Sequence, residues 1–216
     1  MDRFARALTA VVDLCFPPRS TELVVRELHA GDLLQHTRPQ AHALDSCAAY
    51  TLLPYDEPKV GACVREAKFH GNRQAARLLA LCAASYIKEE LAERAAFGRR
   101  RTVLIPVPLS RARERERGYN QAERIARHIV AAVDGVEIDT KLLLRIRDTR
   151  PQTELDGEAR RQNLRGAFAA TRNADPRTHY LVLDDVMTTG STLNAAVRAL
   201  RAAGARHVEA LALAHG

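Results

Sequence analysis

The segment that most constrains the fold of this chain is YLVLDDVMTTGSTL, residues 180–193. Its first four residues are mostly apolar, which is typical of a buried strand. Two adjacent carboxylates, Asp184 and Asp185, follow them, and a loop of small residues then opens a helix near Leu193. A buried strand that passes through a short loop into a helix is the unit from which parallel α/β sheets are built.

The same segment indicates a ligand. Its loop consists of Thr188, Thr189, Gly190, Ser191 and Thr192. A helix start offers unpaired N–H groups, to which the loop hydroxyls can add hydrogen bonds to a phosphate. Carboxylates accept hydrogen bonds from a sugar diol and tolerate Mg²⁺, so the segment predicts binding of a ribose 5-phosphate. Taken separately, the loop could be an ordinary helix cap and the acid pair a solvated strand end.

The rest of the chain alternates strand-like apolar runs with helical periodicity. Strands are predicted at residues 46–53, 102–107, 180–184 and 207–214, and helices at 59–95 with a break near 70–72, at 119–133 and at 191–203. This alternation predicts an α/β fold with a parallel sheet covered by helices on both faces. Residues 1–45, an amphipathic helix followed by weakly periodic sequence, are expected to form a small appendage or hood, and residues 46–216 the main domain.

Charge is concentrated in the middle of the chain. The net charge is +7, and residues 94–165 hold 17 basic and 10 acidic residues, which accounts for the whole excess. This favours an anionic ligand near the middle of the chain. No apolar run reaches the length of a membrane span, no secretory leader is recognisable, and the four cysteines form no CxxC pair, so a cytoplasmic protein is expected.

Two arginine-rich stretches, 111–117 and 147–165, hold nine of these basic residues. Arg111 opens the stretch 111–117, which follows a predicted buried strand, and residues 147–165 form a polar segment that is expected to be exposed and mobile. The alternating Arg and Glu residues of 111–117 could equally form a solvated, self-paired helix start.

The sequence LVLDDVMTTGST resembles the phosphoribosyl pyrophosphate (PRPP) motif of type I phosphoribosyltransferases. The resemblance implies that Asp184 and Asp185 bind the ribose hydroxyls and that residues 188–192 bind the 5-phosphate. It also implies Mg²⁺, which the acid pair would hold directly or indirectly.

Further segments are similar to the ComF family within that superfamily. They are PVPL at residues 106–109, RGYNQ at 117–121, AKFHGN at 67–72 and RDTRPQTELDGEARRQNLRGAF at 147–168. On this resemblance, which covers residues 46–216, Lys68, Arg111 and Arg160 are expected to contact pyrophosphate. Lys68 could also be a solvent-exposed cation at a helix end.

The N-terminus departs from the ComF pattern. The family's Phe-Pro-Pro-Arg stretch is present at residues 16–19, but Ser20 and Leu23 stand where a zinc-binding CxxC pair is expected. No structural zinc is therefore predicted. His36, His42 and Cys47 could serve as metal ligands, although loop histidines and a small buried thiol explain them equally well.

Two functions follow from the resemblance. One is an enzyme that transfers phosphoribosyl from PRPP to an unidentified amine or nucleobase acceptor. The other is a PRPP-binding accessory of DNA uptake in natural competence, whose arginines contact single-stranded DNA and which works with other competence proteins.

Overall fold

The computed structural model describes residue 13 and residues 17–95, 100–147 and 166–216. The helices in these ranges are α1 (Ser20–Glu27), α2 (Ala30–Leu34), α3 (Pro58–Phe69), α4 (Arg73–Ala95), α5 (Arg111–Arg117), α6 (Gln121–Val130) and α7 (Ser191–Ala202). The strands are β1 (Gln40–Ala43), β2 (Ala48–Pro54), β3 (Thr102–Pro106), β4 (Val136–Ile138), β5 (Leu143–Arg145), β6 (Phe168–Ala170), β7 (His179–Met187) and β8 (His207–His215).

Six strands form one sheet in the order β1-β2-β8-β7-β3-β4. Strands β2, β8, β7, β3 and β4 run parallel, and β1 pairs antiparallel with β2 at one side. Strands β5 and β6 form a separate antiparallel pair. The expected mostly parallel α/β sheet is therefore confirmed.

The alternation of β7 shows how the sheet is covered on both faces, since successive side chains of a strand point to opposite sides. Leu181 and Leu183 belong to a core cluster with residues of α3, α4 and α6, while Val182 belongs to a second cluster with residues of α7. Leu181, Val182 and Leu183 are each at most 5% exposed. The apolar run of this strand thus fixes its place at the centre of a two-sided core.

The N-terminal region differs most from expectation. Its weak periodicity predicted a loosely specified appendage, yet α1 and α2 place Val25 and Leu33 in the same core as α3 and α4, with neither side chain exposed. Strand β1 joins the main sheet across residue 45 through its pairing with β2. The division at residue 45 stays a prediction. The predicted helix at the start of the chain lies outside the described residues, apart from Asp13.

An ion pair ties α1 to the end of α3. Glu66 is fully buried and accepts hydrogen bonds from Arg19 Nε at 3.0 Å and from Thr21 Oγ1 at 2.6 Å. Although burial alone would raise the pKa of this carboxyl, the hydrogen bonds from Arg19 and Thr21 hold it below its usual range. Glu66 lies two residues before Lys68, so this pair fixes the helix turn that carries the lysine.

None of the helices among the described residues combines the length and apolar character needed to cross a bilayer.

Candidate functional site

The acid pair lies toward the carboxyl end of β7, in the middle of the sheet. Asp184 is in register with Ala212 of β8, and the preceding residue, Leu183, is in register with Pro106 at the end of β3. Open α/β sheets bind ligands at the carboxyl ends of their strands. The strand, acid pair, loop and helix follow one another as the sequence predicts.

Asp185 is buried and surrounded by polar partners. Its Oδ2 atom lies 3.1 Å from Lys68 Nζ and accepts a hydrogen bond from Gln121 Nε2 at 3.2 Å, while its Oδ1 atom accepts the N–H of Val186 at 2.9 Å. The residue is 4% exposed. A buried carboxylate with a cation and two hydrogen-bond donors is held in one orientation. The structure therefore brings together Lys68 and Asp185, which lie 117 positions apart.

Asp184 has a different environment from its neighbour. It is partly buried, and its Oδ1 atom accepts the N–H of Asp185 at 2.9 Å. Burial, and next the negative charge of Asp185, raise the pKa of the Asp184 carboxyl above its usual range, and Lys68 offsets this only in part. Two adjacent carboxylates with one lysine repel each other when both are ionised, and a cation bound beside them would relieve this repulsion.

The donor chemistry of the pair fits Mg²⁺. This ion prefers oxygen ligands and is commonly held by one or two carboxylates together with substrate phosphates and water. Such a site needs no larger protein cluster, and the described residues contain no group of three or more His, Cys, Asp or Glu side chains placed to hold a metal. Asp184 and Asp185 are the residues that would hold the ion.

The loop after the acid pair is shaped for the start of α7. Thr188 and Thr189 are exposed, and the hydroxyls of Thr189 and Ser191 lie 2.8 Å apart. Gly190 has φ +69° and provides no side chain to cap the helix. The left-handed backbone conformation favours glycine, and a Cβ atom at this position would lie 2.4 Å from Leu44 Cδ2, so that the Leu44 side chain would have to shift.

The turn between β1 and β2 packs against this same helix start. Leu44 contacts Gly190, and Asp45 accepts hydrogen bonds from Asn194 Nδ2 at 3.1 Å and from Arg198 Nη2 at 3.2 Å. The Ser46 N–H donates to Asn194 Oδ1 at 3.2 Å. The N-terminal hairpin therefore supports the loop that is expected to bind phosphate.

The RGYNQ segment, residues 117–121, contacts both the end of α3 that carries Lys68 and the acid pair on β7. Tyr119 donates its hydroxyl hydrogen to the carbonyl of Lys68 at 3.0 Å, and Arg124 donates to the carbonyl of Gly71 at 3.1 Å while its guanidinium lies 3.9 Å from the Tyr119 ring centroid. Asn120 caps α6 and places Gln121 against Asp185. Sequence reasoning identified this segment but not these contacts, because they join residues about 50 positions apart.

The remaining predicted residues fall in different places. Arg111 is exposed at the first position of α5 and borders a cavity of about 510 Å³ at the end of β3. Arg160, with most of the arginine-rich segment 147–165, lies outside the described residues. Ser20 and Leu23, which replace the expected zinc-binding pair, belong to α1. The absence of structural zinc stays a prediction.

Comparisons with known proteins agree with this geometry. The family described as phosphoribosyl transferase domain matches residues 116–216. Competence protein F of Haemophilus influenzae is 37% identical over 113 residues, which cover 51% of this chain and 49% of that protein. DNA utilization protein YhgH of Salmonella typhimurium is 29% identical over 206 residues, covering 95% of this chain and 85% of the relative. Competence protein ComFC of Bacillus subtilis is 32% identical over 98 residues, which cover 45% of this chain and 38% of that protein.

The match over residues 116–216 and the mostly parallel sheet flanked by helices are consistent with a fold like that of type I phosphoribosyltransferases. The similarity to competence protein F and to ComFC agrees with the resemblance to the ComF family. The aligned region spans about half of the Haemophilus protein and less of the Bacillus protein, so their full lengths include sequence outside this match.

Proposed function

We propose that this protein binds PRPP with Mg²⁺ at the carboxyl end of β7 and transfers the phosphoribosyl group to an acceptor nitrogen. The observation that carries the proposal is the order of elements after β7. The acid pair Asp184 and Asp185, in which the pKa of Asp184 is raised, comes directly before the loop that contains Gly190 and begins α7. A ribose 5-phosphate needs both features at this spacing, a diol acceptor and a phosphate cradle.

Each part of the site has a role in this proposal. Asp184 and Asp185 accept hydrogen bonds from the ribose 2′ and 3′ hydroxyls, and residues 188–192 donate to the 5-phosphate. Lys68, held close to Asp185, is positioned to share its charge with the pyrophosphate, and Arg111 and Arg160 are proposed to contribute there as well.

In the reaction, the bond from the anomeric carbon to the pyrophosphate oxygen breaks, a bond to the acceptor nitrogen forms, and the acceptor loses a proton. Mg²⁺, when bound, would neutralise charge on the pyrophosphate. The chain's own contribution is to orient the ribose and to place positive side chains beside the leaving group.

A screen for pyrophosphate release tests the proposal. Wild-type protein is incubated with PRPP, Mg²⁺ and a panel of nucleobases and amines, alongside Asp184→Asn/Asp185→Asn. The charge-matched control is Glu89→Gln/Glu93→Gln, on the exposed side of α4. We expect release with one acceptor class in wild type and control but not in the acid-pair variant. Failure of every acceptor to release pyrophosphate would contradict transfer, and equal release by both variants would contradict the assigned site.

A second function is favoured by the names of the relatives, which include competence proteins and a DNA utilization protein. In it the chain is an accessory of DNA uptake that binds single-stranded DNA and other competence proteins. The arginine surplus of residues 94–165 supports contact with phosphates. Binding of a labelled oligonucleotide measured against salt tests this: polyanion binding should weaken steeply as salt rises. A salt-independent or undetectable interaction would contradict it.

A further inference from the structure

A second cavity lies where the parallel strands begin, which we call the amino edge of the sheet. The acid pair lies where these strands end, at the carboxyl edge. It has a volume of about 650 Å³ and is lined by the first residues of three neighbouring strands, Thr102, His179 and His207, which are in register with one another. Because these strands are parallel, their amino ends meet at the edge away from Asp184 and Asp185. The cavity is therefore separate from the proposed PRPP site.

Its walls are strongly cationic. The lining contains four arginines, Arg94, Arg100, Arg201 and Arg206, against two carboxylates. One of the carboxylates, Glu209, is already neutralised, since its Oε2 atom lies 2.6 Å from Arg94 Nη2 and 3.5 Å from His179 Nε2. These contacts outweigh burial and lower the pKa of Glu209 to about 2. The charge of Glu209 is thus balanced by its neighbours, and Asp134 is the second carboxylate of the wall.

The other three arginines have no such partner. Arg100, Arg201 and Arg206 form no ion pair with a carboxylate anywhere in the described ranges, whereas Arg94 pairs with both Glu90 and Glu209. Within the described part of the chain, the polar contact of the Arg100 side chain is with the ring of His207, whose Nδ1 lies 3.4 Å from Arg100 Nη1. These three arginines are exposed, and guanidinium groups that line a cavity without an ion-pair partner are suited to bidentate contact with phosphate.

The pKa of His207 is also affected by the arginines that line the cavity. Burial, and next the positive charges of Arg100, His179 and Arg206, lower the pKa of its imidazole. A neutral histidine among cations can donate one hydrogen bond to an anion without adding to the repulsion between the arginines. The geometry around this ring therefore offers mixed donors rather than charge alone.

The size and lining of the cavity indicate a small ligand. Its volume lies in the range of small-molecule sites, and Leu91, Ala92 and Val208 give part of the wall an apolar character. A nucleic acid backbone is instead tracked by an extended basic groove with aromatic stacking side chains, and within residues 17–95, 100–147 and 166–216 no Phe or Tyr lines this cavity.

We propose that this arginine-lined cavity binds a phosphorylated small molecule of nucleotide size. Arg100 and Arg206 contact its phosphates, and the apolar wall receives its uncharged part. The exposed Asp134 at the rim can accept hydrogen bonds from hydroxyl or amino groups of the ligand. This site does not depend on the proposed PRPP function.

Calorimetric titration with ATP as the probe tests the proposal. It compares wild type, Arg100→Gln/Arg206→Gln and the control Arg65→Gln/Arg77→Gln, which removes the same charge from exposed positions of α3 and α4. We expect the cavity variant to lose at least about tenfold in affinity, since two charge-assisted contacts are removed, and the control to stay within about twofold. Thermal melts of all three proteins show whether each is folded.

Three results would overturn the proposal. They are no ATP binding to folded wild-type protein, unchanged ATP affinity in the cavity variant, and equal losses in both variants, which would indicate a general charge effect. A parallel titration with oligothymidylate separates the macromolecular alternative. If the cavity variant weakens oligonucleotide binding while ATP does not bind, the surface serves a nucleic acid chain instead.

Discussion

The two edges of one sheet have opposite chemistry. The carboxyl edge holds the acid pair and the hydroxyl-rich loop 188–192, with Lys68 3.1 Å from the buried Asp185. At the amino edge, four arginines and two histidines line a cavity with two carboxylates, of which Glu209 is already paired with Arg94. The carboxyl edge is therefore suited to a cation and a ribose, and the amino edge to an anion.

The two edges also differ in how they are assembled. The acid pair and the loop 188–192, which we propose binds phosphate, lie within nine consecutive residues, 184–192. Their geometry follows from one strand, one turn and one helix start. The amino-edge cavity draws on α4, α7 and the starts of β3, β7 and β8. A site built from consecutive residues depends on local backbone conformation, whereas a site built from distant segments depends on the whole fold.

Loss of the lysine should affect the carboxyl edge most strongly. Lys68→Ala leaves Asp185 buried without its cation, and we expect the free energy of unfolding to fall by about 2 kcal/mol and PRPP affinity to fall by at least about tenfold. Urea denaturation and calorimetry measure the two effects. The matched control is Lys59→Ala, whose partner Asp32 is much more exposed, for which we expect a loss below about 1 kcal/mol. Equal losses in the two variants would contradict a special role for Lys68.

A side chain at the loop glycine should have the next largest effect. Gly190→Ala forces a residue with a Cβ atom into φ +69° and against Leu44, so we expect a loss of about 2 kcal/mol in unfolding free energy. Gly31→Ala, where nothing lies within 4 Å, is the control and should be neutral or slightly stabilising. Unchanged urea stability of Gly190→Ala would show that the loop is not constrained as described.

The raised pKa of Asp184 predicts two pH trends of opposite sign. The ligand-free fold favours the protonated carboxyl more than the unfolded chain does, so its contribution to stability is present at low pH and is lost as pH rises through the raised pKa. PRPP binding with Mg²⁺ requires the carboxylate, so affinity should rise over the same interval, by up to about tenfold per pH unit. Asp184→Asn should flatten both trends in urea and binding series between about pH 6 and about pH 9. Trends of the same sign would contradict the environment assigned to Asp184.

The sequence predicts the carboxyl edge far better than the amino edge, because the first is built from consecutive residues and the second from distant segments. The strand, acid pair and loop are local, so hydrophobic periodicity and helix-start chemistry suffice to place Asp184 and Gly190. The pairing of Lys68 with Asp185 was not predictable from spacing, and neither were the contacts of Tyr119. The short helices between residues 20 and 34 were missed because only a few positions, among them Val25 and Leu33, face the core.

The central claim is that the acid pair at the end of β7 binds the ribose of PRPP. Calorimetric titration of PRPP in the presence of Mg²⁺ into wild type and Asp184→Asn/Asp185→Asn tests it most directly. We expect clear binding by wild type and none by the folded variant. Unchanged affinity in that variant would contradict the assignment.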